Sequence, residues 1–256
     1  MNFNNVCIYI QCLYFLTLSE FRVRYKNSFF GYVWALLNPL AFASVYYLAF
    51  KLIMRFDIPD YGLILMTAMF PWVWLSNSLV KGTSSIIENS HMVKKMPFNF
   101  SVLPLSMVSH DLMHFLLSLP VIFLFIILSG YDLYWSWIWQ IPVLVVYQFT
   151  IIASIVLFTS ALNVFVRDIE YIISVSVSLL FFLTPIVYPI SVVPEQYLFI
   201  YNVNPFIDLI TSWRSIFLEG ELNFLKISIR LICWMIVFII GFNFFNRKRY
   251  NFASIL

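Results

Sequence analysis

Residues 141–166, IPVLVVYQFTIIASIVLFTSALNVFV, contain no charged side chain. A helix needs roughly 20 predominantly apolar residues to cross the hydrocarbon core of a bilayer, so this run is long enough to span one. Comparable runs lie at residues 31–54, 63–80, 106–128 and 225–245, and another leads from residue 172 into the proline-rich TPIVYPI at 184–190. With 62% hydrophobic and only 11% charged residues, the 256-residue chain has too little polar surface to cover a soluble globule. The expected fold is an all-α membrane protein with six transmembrane helices in a single domain, residues 1–256.

The sidedness of the charges orders these spans. Arg22, Arg24, Lys26, Lys81, Lys94, Lys95, Arg167 and the terminal run Arg247, Lys248 and Arg249 fall on alternate connections and mark the cytoplasmic side. The loop RFDIPDYG at 55–62 and the Trp-rich GYDLYWSWIWQ at 130–140 face outward, which places both termini in the cytoplasm. A net charge of +3 gives no reason to expect nucleic acid as a partner.

Three segments do not fit a plain span. Residues 6–18 are apolar but too short to cross, and the cations after them suit an interfacial helix facing anionic membrane lipid; a tilted span reaching Phe21 is the alternative. Residues 1–27 thus form an interfacial helix with a basic tail. Residues 82–101 form a polar cytoplasmic loop, in which Ser84 or Ser85 could cap a short helix running through Lys95 until Pro97 stops it. Residues 190–222 are too polar to span. Pro194-Glu195 and Asn204-Pro205 each open a short helical pattern, predicting two outer re-entrant half-helices that carry Glu195, Asp208 and Arg214.

Several chemistries lack an address. Cys7, Cys12 and Cys233 form neither a disulfide framework nor a zinc motif. No basic residue precedes the first apolar run and no small-residue cleavage site comes after it, so a cleaved signal peptide is not expected. The HDLMH sequence, His110 to His114, resembles a zinc-protease motif with Asp in place of Glu, but no third protein ligand is evident, and no metal is expected. With six glycines and no phosphate-cradling loop, the chain does not itself hydrolyse ATP by that route. Ionisable residues are nearly absent from the span centres, which disfavours an ion-coupled carrier.

The aromatic residues offer a different lead. Trp34 and Tyr46 in the first span, with Phe181, Phe182 and Tyr188 in the fifth, could together line a conduit whose flat faces suit sugars; core or lipid-facing packing is the better explanation of any single one. Asn38-Pro39 reads as a local break in the first span.

Five stretches in order, RYKNSFFGYVWALLNPL (24–40), FPWVWLSNSL (70–79), LNVFVRDIEYI (162–172), TPIVYP (184–189) and NPFIDLITSWRSIFL (204–218), resemble the membrane subunit of the ABC exporters of lipid-linked polysaccharides. The resemblance implies a homodimer with a central channel in the bacterial inner membrane and two copies of a separate ABC ATPase, which binds ATP and Mg, so that this chain needs no cofactor. It places ATPase coupling on the loop carrying Glu88, His91, Lys94 and Lys95, and the outer gate on Glu195, Asp208 and Arg214. It places substrate entry at Arg22, Arg24 and Lys26, where cations would hold the diphosphate of an undecaprenyl-diphosphate-linked glycan. The channel would then run past Trp34, Asn38, Tyr46, Phe181, Phe182 and Tyr188. O-antigen is the expected cargo, with capsule, teichoic acid, lipid or drug substrates as alternatives. A membrane enzyme using HDLMH or Glu195 and Asp208 on lipid-linked sugars is the competing reading.

Overall fold

A computed structural model describes residues 3–25, 31–55, 58–197 and 204–256. Among them, four helices are long and apolar enough to cross a membrane: Tyr61–Glu88, Val102–Leu128, Trp137–Phe165 and Phe224–Ile255. We label the helices α1 (Phe3–Tyr25), α2 (Trp34–Tyr47), α3 (Tyr61–Glu88), α4 (Ser90–Lys95), α5 (Val102–Leu128), α6 (Trp137–Phe165), α7 (Asp168–Leu183), α8 (Phe206–Glu219), α9 (Phe224–Lys248) and α10 (Phe252–Ile255). A 3₁₀ turn, Gly31–Val33, leads into α2, and a π-helical turn, Leu48–Ile53, extends it.

α6 is the central post. It is apolar on all sides and packs against α3, α5, α8 and α9. Nearly every polar side chain on it that is buried makes a bond to a neighbour. Gln148 donates to the Pro71 carbonyl of α3 at 2.8 Å and accepts from Trp213 Nε1 of α8 at 2.7 Å. Thr159 meets Thr83 of α3 at 2.7 Å, and Ser154 donates to the Trp234 carbonyl of α9 at 3.3 Å. Hydrocarbon gives helices no hydrophobic reason to prefer one another over lipid, so such bonds and close packing, worth ~0.6–2 kcal/mol each, select the partners. Close packing of α3 on α6 shows at Gly82, where a Cβ would lie 2.4 Å from Val156 Cγ1.

α8 is held by its own period. Leu209, Ile210, Trp213, Ile216 and Phe217 recur at helical spacing and are fully buried, the Trp213 ring standing edge-on to Phe115 of α5 at 5.0 Å. Gly220 ends the helix with φ +70°, a conformation open to a residue without Cβ, and its carbonyl accepts from Gln140 Nε2 at 2.9 Å.

The structure corrects two expectations. The second span does not stop at Lys81 but continues as helix to Glu88, because Ser84 and Ser85 do not cap a new helix: Ser85 Oγ donates to Gly82 O of its own helix at 2.7 Å, and Ser84 Oγ to Glu88 Oε1 at 2.6 Å. The chain breaks at Asn89 instead. Asn38-Pro39 does not interrupt α2; one missing N–H leaves the helix intact, and the irregular geometry falls at the flanking turns. Of the expected pair of half-helices, the second is α8; at the first, the described residues form 3₁₀ turns at Ile190–Val192 and Glu195–Tyr197, and residues 198–203 lie outside the described part of the chain.

Candidate functional site

The TPIVYP stretch is where the helical ladder stops. α7 ends at Leu183, Thr184 is extended, and the carbonyls beyond it need donors from elsewhere. Three side chains supply them. Arg214 of α8 donates from Nη2 to the carbonyls of Pro185 at 2.8 Å and Ile186 at 3.3 Å. The Tyr61 hydroxyl of α3 donates to Val187 O at 2.7 Å. Asn204 donates to Leu183 O at 3.3 Å and Thr184 Oγ1 at 3.0 Å, while its Oδ1 accepts from the Phe206 N–H at 2.9 Å and so caps α8. The irregular backbone is therefore locked from two sides, by α3 and by α8 with its capping Asn204.

Asp208 fastens the other side of α8. Its carboxylate meets Lys226 Nζ at 2.5 Å and pairs with Arg230, both on the first turns of α9. Arg214 and Asp208 thus act on two different neighbours and do not meet. Glu195 lies exposed on its 3₁₀ turn. On the loop between α5 and α6 the Tyr131 hydroxyl donates to Asp60 Oδ2 at 3.0 Å; burial and that carboxylate push the phenol above its ordinary pKa.

A second cluster lies between α3 and α5. Asp111, fully buried, accepts from Lys81 Nζ at 3.2 Å, Ser78 Oγ at 3.2 Å and His110 Nδ1 at 3.2 Å. With Nδ1 of a neutral His110 protonated, its Nε2 accepts from His114 Nε2 at 3.2 Å. The Phe21 ring of α1 covers both imidazoles, 5.8 and 5.0 Å from their centroids. His110, Asp111 and His114 do offer a metal-like donor set within 4.8 Å, but the Lys81 ammonium already on the carboxylate opposes a second cation. The arrangement is a polar chain linking α1, α5 and α3.

At the end of the bundle near α10, α4 rests on one side chain. Val93 is buried in a cluster with Leu103, Phe245 and Phe252, while Glu88, just before α4, and His91, Lys94 and Lys95 are all exposed. The corner after α6 is tied by Asn163, which accepts from the Glu170 N–H at 3.2 Å and donates to Thr83 O at 3.2 Å. Arg167 and Asp168 are exposed beside it, so the corner residue that makes these ties is one that charge alone did not single out.

The other residues expected at the entrance and along the channel are spread over both faces of the bundle. Arg22 is exposed on α1; the Arg24 side chain, Lys26 and the Asn38 side chain lie outside the described residues. Trp34 and Phe182 are exposed, and the Tyr188 hydroxyl donates to Phe182 O at 2.8 Å. Phe181 is not on an open face: it is buried between Tyr46, at 5.4 Å, and Trp72, at 6.0 Å. Tyr61, Asn163, Gln148 and the Lys81–Asp111 pair were not expected from sequence. Tyr61 and Gln148 sit in apolar surroundings that signal only burial, whereas Asn163 and Asn204 lie inside LNVFVRDIEYI and NPFIDLITSWRSIFL, two of the stretches that carry the family resemblance.

These features define a polytopic helical membrane protein with a locked irregular turn on one side and an exposed basic helix on the other, and with no visible catalytic centre among the described residues. The profile of the ABC-2 type transporter family matches residues 11–218, and the chain belongs to that family. An O-antigen export system permease protein, RfbA, of Klebsiella pneumoniae is 41% identical over 252 residues, covering 98% of this chain and 97% of that protein. A second Klebsiella pneumoniae protein of the same name is 39% identical over the same share. The Myxococcus xanthus RfbA permease is 34% identical over 210 residues, 81% of this chain and 80% of its own length.

Proposed function

We propose that this protein is the membrane-spanning subunit of an ATP-driven exporter that carries undecaprenyl-diphosphate-linked O-antigen polysaccharide across the bacterial inner membrane. The observation that carries this is near full-length similarity to permeases named for O-antigen export, at 41% identity over 98% of the chain.

In this reading the chain crosses six times, with the α2 segment and α7 completing the four long spans, and both termini are cytoplasmic. Two copies pair around a channel. Two copies of a separate ABC ATPase bind ATP and Mg beneath them, and this chain contributes no cofactor site. α4 is suited to coupling, because Val93 anchors it while Glu88, His91, Lys94 and Lys95 remain open to a partner. α8 is suited to gating, because Arg214 and Asp208 bond to separate elements that a movement of α8 would release together; Glu195 belongs to the same outer segment. Arg22, Arg24 and Lys26 would receive the lipid diphosphate, since phosphate oxygens pair well with Arg and Lys. Trp34, Asn38, Tyr46, Phe182 and Tyr188, with Phe181 packed behind, would border the glycan path.

The test is complementation. A strain lacking its own O-antigen permease is given this chain with its neighbouring ATPase, and surface polysaccharide is read by immunoblot alongside ATPase activity of the purified complex. Restored polysaccharide and hydrolysis lost on deleting residues 82–101 support the reading. A chain that purifies without any nucleotide-binding partner and restores no polysaccharide overturns it.

A further inference from the structure

α1 does not close fully against α9 at the end that carries the Arg247 to Arg249 run. A cleft of about 390 Å³ remains between them, walled by Ile8 and Cys12 of α1, Phe98 and Val102 at the start of α5, and Phe242 of α9. Asn246 and Arg249 stand on its lining as well, and no carboxylate does.

The chemistry of this cleft is that of an amphiphile with one negative end. Its apolar wall would hold water poorly, since a stable buried water needs two to four polar partners. Arg249 uses one N–H on Asn246 Oδ1 at 3.3 Å and another on the Tyr250 hydroxyl at 3.2 Å, which leaves further donors of its five. The exposed Arg247 and Lys248 beside it raise the local positive potential. α1 also borders lipid elsewhere, since Ile10, Tyr14 and Phe15 are 58%, 67% and 70% exposed. Along its cleft side the Tyr9 hydroxyl, whose phenol pKa burial pushes up, bonds Ser101 Oγ at 3.0 Å and holds α1 at this spacing.

We propose that this cleft is a binding site for one anionic phospholipid, with an acyl chain along the apolar wall and the headgroup phosphate on Arg249. Basic pockets between helices on the cytoplasmic side recognise such headgroups by charge, whereas a zwitterionic lipid gains less. The bound lipid would complete the packing between α1 and α9. The site is separate from the residues assigned above to glycan entry and ATPase coupling, and it stands whether or not the cargo is O-antigen.

The experiment is native mass spectrometry of the purified chain after exchange into defined mixtures of phosphatidylglycerol and phosphatidylethanolamine, counting lipid retained per chain. The wild type retains phosphatidylglycerol in preference. One cation near a membrane surface is worth about 1 kcal/mol, so Arg249→Gln lowers that retention about fivefold, lowers phosphatidylethanolamine retention by less, and Arg249→Lys restores most of the phosphatidylglycerol. Cys12→Trp fills the wall and removes bound lipid of either kind; Ile8→Trp serves the same purpose should that variant fail to elute as a single species. Equal retention of the two lipids by the wild type overturns the proposal, as does full retention of phosphatidylglycerol by Arg249→Gln.

Discussion

The Lys81 ammonium lies 3.2 Å from Oδ1 of Asp111 and joins α3 to α5 inside the bundle. Asp111 is fully buried, whereas Lys81 is about one-third exposed, so removing either partner has unequal consequences. Lys81→Met strands a buried carboxylate and should cost about 3 kcal/mol, while Asp111→Asn leaves a neutral acceptor and should cost less. Thermal melting by fluorescence-detected size exclusion checks this, and the double variant should melt above Lys81→Met alone. Identical melting of Lys81→Met and wild type would mean that the pair does not support the fold.

Gly82 sets the approach of α3 to α6. The added methyl of Gly82→Ala would meet Val156 Cγ1 at 2.4 Å, and the stiff β-branched side chain cannot swing away. Overpacking of this kind costs about 1–3 kcal/mol. The expected result is a lower melting temperature, recovered when Val156→Ala is added. Failure of the second change to recover stability would place the strain elsewhere.

Arg214 and Asn204 hold the turn after α7. Arg214→Gln leaves the Pro185 and Ile186 carbonyls short of a charged donor, a loss of roughly 1.5–3 kcal/mol, and α8 should loosen against the turn after α7. Polysaccharide export should fall further than protein abundance does, measured by immunoblot of both in the same cells. Arg214→Lys, which can reach one carbonyl, should retain an intermediate level.

α4 separates coupling from folding. Lys94→Ala with Lys95→Ala changes exposed side chains and should move stability by less than about 0.5 kcal/mol while reducing hydrolysis in the ATPase complex. Val93→Ser removes the anchor and should lower melting temperature as well as hydrolysis. If the two lysine changes leave hydrolysis intact, coupling does not pass through this face.

Neutralising Arg22, Arg24 and Lys26 together tests the entrance. Export should drop while membrane insertion and melting temperature stay near wild type, as a cation exposed like Arg22 contributes little to folding. Unchanged export would remove the diphosphate role from these residues.

Much of the architecture is legible without coordinates. Apolar runs separated by charged corners locate the helices, since hydrocarbon tolerates no unsatisfied backbone and few charges. Asn204-Pro205 announces the start of α8 through local cap chemistry. Lys81 misleads for the same local reason: a cation usually marks the edge of a span, yet here Asp111, thirty positions away, neutralises it within a helix that runs on to Glu88.

The sequence by itself determined that this chain is a bundle of membrane helices and which family it resembles, because each follows from composition, spacing or motif along the chain. Only the tertiary structure decided which side chains hold the break at TPIVYP, that Phe181 packs inward, and that α1 leaves a cleft against α9. Those outcomes depend on pairings such as Arg214 with Pro185 and Gln148 with Trp213, whose members lie 29 and 65 positions apart. A hydrogen bond acts over about 3 Å, so it forms or fails only once the helices are side by side.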